Sequence, residues 1–471
     1  MTAEGAGEAP RVAIVGGGLA GLAAAVALAN TGCRVQVYEA RRTLGGRAGS
    51  FRDPASGELV DHCQHVGMAC CTNLADFGRR VGSDDLFRRD DTLYFIGPDG
   101  RTRLLRAVKW LPAPLHLAPG FWGLKYLSPA DRFGIARGMW QLMRRPAIDE
   151  AQGPTVAEWL AANNQSPAAI DGFWRVILTS ALSEELECIS LAAARKVIVD
   201  GFLASRQAYE VDVPCAPLAA MYDRIARWLS EHGVQVALGE PVRRVCVNNK
   251  VCLELSGGGA AHADYAIVAV PWTKVSELID PHLTATWPWL AGLTKLPSAP
   301  ITAVHLWFDR PIMELPHAVL VGRLSQWVFH RGSRQPIEGS DGHYYQVVIS
   351  ASHALAGRDR DAVGAQVVDE LKGIWPAAAE ARLLRTRVVT QHDAVFSPRR
   401  GLDALRPAQA TAGGRLFLAG DWTATGWPAT MESAVRSGYL AAEGVLRALA
   451  RPERLLVPDL PRGAFARWLI R

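Results

Sequence analysis

Within the first forty residues the hydrophobic pattern changes twice, from that of a strand to that of a helix and back to that of a strand. Residues 11–15 form a short β-branched run that predicts a buried parallel strand, and residues 34–39 repeat that pattern and end in Glu39. Between them, the glycines of residues 16–21 lead into an alanine-rich stretch that predicts a helix to about Asn30. Strand, glycine turn, helix and strand in this order predict the first unit of a doubly wound α/β domain.

The uncharged run from Val12 to Ala29 is long enough to suggest a membrane span. Four glycines interrupt this run, however, and Glu4 and Glu8 precede it where a secretory signal would have a basic cluster. We therefore expect a cytoplasmic protein without a membrane span, or one that lies peripherally on the inner face of the cytoplasmic membrane.

Further along, the pattern alternates between helical and β character. Residues 86–214 are predicted to be mostly helical and are rich in Trp, Arg and Pro. Residues 234–270 return to short strands, and residues 272–390 are predicted to form a second sheet with strands at 301–308 and 344–350. This alternation predicts domains that are assembled from separated parts of the chain.

Composition limits the functional classes. The chain has 471 residues, of which 49% are hydrophobic, so it can bury a large core and form roughly two or three domains. Its net charge of +5 is spread along the chain, and we expect no nucleic-acid partner.

The 15 Trp outnumber the 13 Phe and 9 Tyr, and such side chains suit membrane interfaces, apolar tunnels and ordinary cores. The 8 scattered cysteines include no CxxC pair, which favours reduced thiols and no metal site.

The glycine turn carries the first chemical motif, GxGxxG. Gly16 allows the tight turn, Gly18 lets a pyrophosphate approach the backbone, and Gly21 lets the helix pack on the strand. The helix N-terminus then offers free N–H groups to phosphates, and Glu39 can bind ribose hydroxyls. In this context the motif predicts a dinucleotide site, with a structural glycine turn as the alternative.

A second motif follows directly in residues 41–47. Gly46 permits close approach of the backbone, and Arg47 can neutralise a phosphate. The motif resembles the second signature of the FAD-dependent amine oxidase and phytoene desaturase superfamily. The resemblance implies that Arg41 and Arg47 contact FAD, whereas a solvated basic loop is the alternative interpretation.

A third motif lies near the end of the chain. A predicted strand ends in Gly420 and Asp421, and a helix is predicted to begin near Thr430 and Met431. The resemblance implies that Asp421 binds the ribityl or phosphate region of FAD. It also implies that the N-terminus of the helix faces the O2/N1 edge of the flavin.

The resemblance extends to fold and cofactor attachment. It implies an α/β fold in which a Rossmann-type FAD-binding domain is interleaved with an α+β substrate-binding domain. Val242 matches the valine whose backbone contacts adenine in the family, and the lack of cysteines after Cys252 favours non-covalent FAD. The predicted domains are the FAD-binding domain of residues 1–85, 215–275 and 391–449, the substrate-binding domain of residues 86–214 and 276–390, and a C-terminal tail of residues 450–471.

Three segments narrow the resemblance to one group. Residues 59–71, 420–432 and 457–461 look like the squalene-associated FAD-dependent desaturases, the hydroxysqualene dehydroxylases of squalene and hopanoid synthesis. Amine oxidases usually place an aromatic residue at the position of Thr430, which argues against that activity. The resemblance implies that the allylic hydroxyl of a C30 isoprenoid is replaced by hydride from reduced flavin.

Such a reaction needs a proton donor for the departing hydroxyl and an apolar tunnel that excludes water. His65 and His62 are the candidate acids, because an imidazolium donates a proton near neutral pH, and Gln64 is a candidate to orient the hydroxyl. In the alternative interpretation, Asp61 and the two histidines only fix the flavin-lining loop by hydrogen bonds. The spacing of His62, Cys63 and His65 is poor for a metal site.

Partners and rival functions stay open at this point. Because only one dinucleotide fingerprint is visible, the flavin could be reduced by transiently docking NAD(P)H, by free reduced flavin or by a protein. Basic and aromatic residues within 108–145 and 465–471 suit peripheral membrane contact. The rival functions are a carotenoid desaturase, an amine oxidase, and a GDI-like carrier of prenyl groups without redox chemistry.

Overall fold

The computed structural model describes residues 8–54, 56–146, 153–284, 287, 289–331 and 342–471. The strands in these ranges are β1 (Arg11–Val15), β2 (Arg34–Glu39), β3 (Ser50–Arg52), β4 (Leu59–Asp61), β5 (Gly67–Met68), β6 (Phe87–Asp90), β7 (Thr92–Ile96), β8 (Thr102–Arg106), β9 (Val211–Pro214), β10 (Gln235–Leu238), β11 (Val242–Val247), β12 (Val251–Leu255), β13 (Ala260–Ala263), β14 (Tyr265–Val268), β15 (Ser298–Phe308), β16 (His317–Leu320), β17 (Trp327–Arg331), β18 (His343–Ser350), β19 (Leu383–Phe396) and β20 (Leu416–Leu418). The α-helices are α1 (Leu19–Leu28), α2 (Thr72–Arg80), α3 (Ala118–Trp122), α4 (Pro129–Arg144), α5 (Val156–Ala162), α6 (Pro167–Ala169), α7 (Arg175–Leu182), α8 (Leu191–Arg195), α9 (Leu218–Glu231), α10 (Trp272–Leu278), α11 (Pro281–Thr284), α12 (Trp289–Leu293), α13 (Arg360–Ile374), α14 (Pro376–Glu380), α15 (Met431–Ala448) and α16 (Ala464–Leu469).

A parallel sheet in the order β10-β2-β1-β14-β20 forms the first layer. Its strands come from the beginning, the middle and the end of the chain, and parallel strands of this kind are buried on both faces. All residues of α1 are buried against this sheet and α15. A Cβ at Gly438 would lie 2.3 Å from the carbonyl oxygen of Ala20, so the small residue lets α15 approach α1 closely. The predicted Rossmann-type fold is confirmed, and the domain boundaries stay a prediction.

A second sheet has the order β19-β15-β18-β17-β16-β7-β8. Side chains alternate between its two faces. One face, with Val304 and Val347, packs against Val363 and Val367 of α13. The other face carries Val319 and Phe329 and packs against the helices of residues 118–203. We call this second face the inner face.

The prediction that residues 86–214 are mostly helical is wrong at both ends of the segment. β6, β7 and β8 precede the helices, and β9 follows them. β7 adds to the second sheet because its Phe95 pairs with Val319 of β16, and a turn between Gly97 and Gly100 reverses the chain into β8. These strands are short, so the hydrophobic pattern alone does not separate them from the helices that follow. The stretch 272–390 likewise contains helices α10 to α14 beside its predicted strands.

The last twenty residues connect the two layers. The backbone N–H of Val457 donates to Asn73 Oδ1 at 2.9 Å, and Leu455 is buried with the helices of the parallel sheet. Ala466 of α16 and Ile470, which follows the helix, then pack into the core under the inner face. Within the described ranges, no helix combines the length and the apolar character that crossing a bilayer requires.

Candidate active site

Three glycines of the first motif have different reasons for being glycine. Gly16 has a φ of +113°, and a Cβ there would lie 2.6 Å from the carbonyl oxygen of Ala269. A Cβ at Gly21 would lie 2.0 Å from the carbonyl oxygen of Gly16. A Cβ at Gly18 would meet only Gly46 Cα, at 4.0 Å. The protein itself therefore requires Gly16 and Gly21, whereas the space beside Gly18 is left for another molecule.

This space lies at the N-terminus of α1. Gly18 is the N-cap residue and offers no side-chain oxygen to the first turn, so the helix leaves N–H groups without protein acceptors there. Gly46, with a φ of +59°, lies across from it. Uncapped N–H groups, a positive helix end and a cradle without side chains fit the pyrophosphate of FAD.

Glu39 lies where the resemblance implies the ribose contact. Its carboxylate accepts the N–H of Gly17 at 2.6 Å and the N–H of Arg41 at 2.8 Å, which fix its orientation. Each carboxylate oxygen has a further lone pair, and these fit ribose hydroxyls. The backbone N–H of Glu240 donates to the Glu39 carbonyl at 3.0 Å, which brings the half-buried Val242 to the same edge of the sheet.

The arginines of the second motif have protein partners. Arg47 forms an ion pair with Asp421, donates to the carbonyl of Ala394 at 2.9 Å, and has its guanidinium 5.3 Å from the ring centre of Trp272. Arg41 is exposed and donates to the carbonyl of Gly46 at 3.3 Å. The second and third motifs thus meet through Arg47 and Asp421, and their contacts with FAD stay predictions.

The third motif ends at the predicted helix. Gly420 donates its N–H to Ser437 Oγ at 2.7 Å, which ties the end of β20 to α15. Thr430 is the N-cap of α15, and its Oγ1 accepts the N–H of Ser433 at 3.2 Å. Helix geometry leaves the N–H groups of Met431 and Glu432 without intrahelical acceptors. They fit a carbonyl oxygen of the flavin.

Glu432 has a structural role that was not predicted from the sequence. Its fully buried carboxylate accepts N–H groups of Asn73 at 2.9 and 3.2 Å and of Leu74 at 2.8 Å, so it joins α15 to the start of α2. Burial raises the pKa of Glu432, and these donors oppose the rise. The partners lie far away in the chain, and no local pattern marks them.

A buried ion pair organises the segment with Gln64 and His65. Arg331 Nη2, at the end of β17, lies 3.1 Å from Asp61 Oδ2, and Arg331 Nη1 donates to Gln64 Oε1 at 3.1 Å. Arg331 also donates to the carbonyls of Pro214 and Ala216. Arg331 was not predicted as a site residue, because its only signal in the sequence is a single charge at the end of an otherwise apolar and aromatic strand.

The candidate acids, His62 and His65, belong to the same segment as Asp61 and Gln64. Nδ1 of His65 donates to the carbonyl of Cys63 at 2.9 Å, so Nε2 is the nitrogen that takes up or releases a proton. Burial lowers the pKa of His65, which makes its imidazolium scarcer and a stronger acid. His62 stacks on Phe51 with ring centres 5.1 Å apart, and burial lowers its pKa too.

Comparisons with known proteins show the family of this chain. Residues 19–446 match the family described as flavin containing amine oxidoreductase. Hydroxysqualene dehydroxylase from Sinorhizobium fredii is 28% identical over 446 residues, which cover 92% of this chain and 97% of that protein. Zeta-carotene desaturase from Synechocystis sp. is 24% identical over 484 residues, which cover 94% of this chain and 98% of that protein.

The solved structures confirm the fold. Cyclohexylamine oxidase from Brevibacterium oxydans superposes with a TM-score of 0.66 at 21% identity and covers 94% of this chain and 100% of that one. The predicted family and the predicted FAD cofactor are confirmed by these matches. The chain belongs to the flavin-containing amine oxidoreductase family and is an FAD-dependent oxidoreductase.

Proposed function

We propose that this enzyme converts hydroxysqualene to squalene by replacing the allylic hydroxyl with hydride. The observation that carries the proposal is the polar segment Asp61–His65, which Arg331 clamps beside the inner face. The full-length similarity to a hydroxysqualene dehydroxylase supports it. The C–O bond breaks, the hydroxyl leaves as water after protonation, and a C–H bond forms at the same carbon. Reduced FAD, when bound, supplies the hydride.

The residues of this chain have three tasks in that reaction. The apolar inner face binds the isoprenoid and keeps water from the allylic cation. His65 protonates the departing hydroxyl through Nε2. Gln64 accepts a hydrogen bond from Arg331 through Oε1, and this bond orients its amide so that Nε2 is left to orient the hydroxyl. His62, stacked on Phe51, is the second candidate for the proton donor.

Product analysis tests this proposal. The enzyme is purified with FAD, reduced with dithionite without oxygen, and mixed with hydroxysqualene. We expect one squalene per reduced flavin, identified by mass, and reoxidation of the flavin spectrum. Unchanged hydroxysqualene with the flavin still reduced would overturn the proposal.

A carotenoid desaturase is the second candidate, because zeta-carotene desaturase also matches along nearly the whole chain. That reaction takes hydride from the substrate, so it runs with oxidised flavin. The same preparation is therefore mixed, oxidised, with phytoene and with zeta-carotene. New conjugated double bonds, seen as a shift of absorbance to longer wavelength, would favour the desaturase.

We also propose that an anionic membrane surface delivers the substrate. Trp110 is 80% exposed and Trp468 75% exposed, and Trp140 and Phe465 are exposed as well. We call these four residues the aromatic surface. The exposed side chains of Lys109, Arg145 and Arg467 lie in the same segments and suit anionic headgroups.

The structure joins the two segments that carry the aromatic surface. Arg471 donates its N–H to the carbonyl of Met143 at 2.9 Å, which brings α16 beside the end of α4. The start of α16 lies close to Ala113, since a Cβ at Gly463 would be 3.4 Å from Ala113 Cβ.

The reductant of the flavin is a separate proposal. We propose NAD(P)H or another soluble donor, and stopped-flow measurement of flavin reduction with each donor tests this proposal.

A further inference from the structure

The inner face carries three buried polar side chains in one row. His305 of β15 pairs with Gln346 of β18, Gln346 with Phe329 of β17, and Phe329 with His317 of β16. Residues paired across neighbouring strands project from the same face. His305, Gln346 and His317 are each 0% exposed. We call these three residues the polar strip.

Most of the hydrogen-bonding atoms of the polar strip have no protein partner. Among the residues that the structure describes, Gln346 Oε1, Gln346 Nε2 and His305 Nε2 have no hydrogen-bond partner. His317 Nδ1 lies 3.3 Å from Asp90 Oδ2, but neither nitrogen of its ring has a well-aligned partner there. A buried amide or imidazole without a partner is costly in a closed core, so such groups point to a ligand.

The surroundings of the polar strip are apolar and aromatic. Phe329 lies between Gln346 and His317, with its ring centre 6.0 Å from that of His317. Two residues further along the strands, Trp327 and Val348 lie on the same face and pack with the helices opposite. Trp327 Nε1 donates to Ser180 Oγ of α7 at 2.9 Å, which places α7 over this part of the sheet. Apolar walls around a few polar atoms suit a long hydrocarbon that carries one oxygen.

The polar strip is continuous with the cluster around Arg331. His305 Nδ1 lies 2.7 Å from the hydroxyl of Tyr344, and Tyr344 pairs with Arg331 across β18 and β17. Burial lowers the pKa of His305 to about 3, so its ring is neutral and has one donor and one acceptor nitrogen. Gln346 likewise has a donor and an acceptor. A hydroxyl both donates and accepts a hydrogen bond, so it matches the donor and acceptor atoms of His305 and Gln346 better than an anion or a cation does.

We propose that Gln346, with His305 paired directly beside it, binds the hydroxyl oxygen of the substrate and so makes the enzyme select a hydroxylated isoprenoid over the hydrocarbon. This inference rests on the proposed function and adds the residues that recognise the leaving group. They are positioning residues, and proton transfer stays with His65. A desaturase of carotenes has no hydroxyl to bind, so the polar strip also favours dehydroxylation over desaturation.

Binding to the oxidised holoenzyme tests the polar strip without turnover. Hydroxysqualene and squalene are titrated separately, and the perturbation of the flavin absorbance gives two dissociation constants. We expect the enzyme to bind hydroxysqualene at least about 10-fold more tightly than squalene, and Gln346→Met to reduce that ratio to about 1 by weakening only hydroxysqualene. Gln366→Met on α13, which faces away from the inner face, is the matched control and keeps the original ratio.

His305→Leu, at the position paired directly with Gln346, is a second variant that is titrated in the same way if Gln346→Met loses FAD. Two results would overturn the proposed role of the polar strip. One is a ratio of the squalene to the hydroxysqualene dissociation constant near 1 in the unaltered enzyme. The other is an unchanged ratio in a Gln346→Met protein that keeps its FAD. The unaltered enzyme could prefer hydroxysqualene, and Gln346→Met could abolish that preference, while the reduced enzyme forms no squalene. This combination would support hydroxyl binding by the polar strip and contradict the proposed function. If a Gln346→Met protein forms squalene and its ratio of dissociation constants is unchanged, the result supports the proposed function and contradicts hydroxyl binding by the polar strip.

Discussion

Arg331 Nη2 lies 3.1 Å from Asp61 Oδ2, and the two side chains are 4% and 2% exposed. Arg331 comes from the second sheet and Asp61 from the end of β4, so this ion pair holds the inner face against the segment that is predicted to line the flavin. Removing one partner of a buried pair leaves the other charge uncompensated, which is far more costly than losing a surface pair.

Arg331→Met is therefore expected to lower the free energy of unfolding by about 3–5 kcal/mol. The shift of the urea midpoint of the holoenzyme measures this loss. Asp61→Asn combined with Arg331→Met leaves no unpaired charge and should recover part of it. Lys274→Met, which removes the exposed partner of Glu277, is the control. An Arg331→Met midpoint equal to that of the control would contradict the structural role.

The first motif offers a matched pair of glycine variants. A Cβ at Gly18 would meet only Gly46 Cα at 4.0 Å, so Gly18→Ala should fold normally and weaken FAD binding by roughly 10-fold or more. A Cβ at Gly21 would lie 2.0 Å from a carbonyl oxygen, so Gly21→Ala should lose about 1–3 kcal/mol of stability. Flavin content and thermal midpoint separate the two effects. Full FAD occupancy in Gly18→Ala would show that the space serves no phosphate.

The manner of FAD attachment has a direct readout. No cysteine follows Cys252, and all eight cysteines are free thiols. Denaturation in trichloroacetic acid should therefore release the flavin into the supernatant, where its absorbance equals that of the holoenzyme. Yellow colour that stays with the precipitated protein would contradict non-covalent binding and direct attention to another side chain.

These glycines and Glu39 could be predicted because their reasons are local. A strand, a turn and a helix within thirty residues determine which positions allow a Cβ and which acid lies at the strand end. Arg331 and Glu432 could not be predicted in this way, because Asp61 is 270 positions away from Arg331 and Asn73 is 359 positions away from Glu432. A side chain whose partner is so distant gives no pattern in the sequence.

The second sheet shows the same limit on a larger scale. β15 and β18 are long and rich in β-branched and aromatic residues, and the hydrophobic pattern predicts both. β7 and β8 have five residues each and join the sheet through β16, more than two hundred positions later, so only the tertiary pairing identifies them. The polar strip depends on this pairing too, because register alone brings His305, Gln346 and His317 into one row.

The role of His65 as proton donor predicts a pH dependence. The imidazolium is the acid, and burial lowers its pKa from the ordinary 6.5, so the active form grows as pH falls. The single-turnover rate of squalene formation should rise about 10-fold per pH unit as pH decreases, until it levels off below the lowered pKa. His65→Asn should lose this slope and at least about 100-fold in rate. His62→Asn is the companion variant, and near-normal hydride transfer in His65→Asn would move the role to His62.

The aromatic surface predicts binding to anionic vesicles. Trp110→Ser combined with Trp468→Ser removes the two most exposed tryptophans, and we expect it to weaken cosedimentation with phosphatidylglycerol vesicles by roughly 10-fold. High salt should weaken binding of the unaltered protein as well, because Lys109 and Arg467 act through screened charges. Leu238→Ser, at a 47% exposed position on β10, is the control and should bind like the unaltered protein. If the unaltered protein stays in the supernatant with anionic vesicles, the substrate reaches the inner face by another route, and the exposed tryptophans need a different partner.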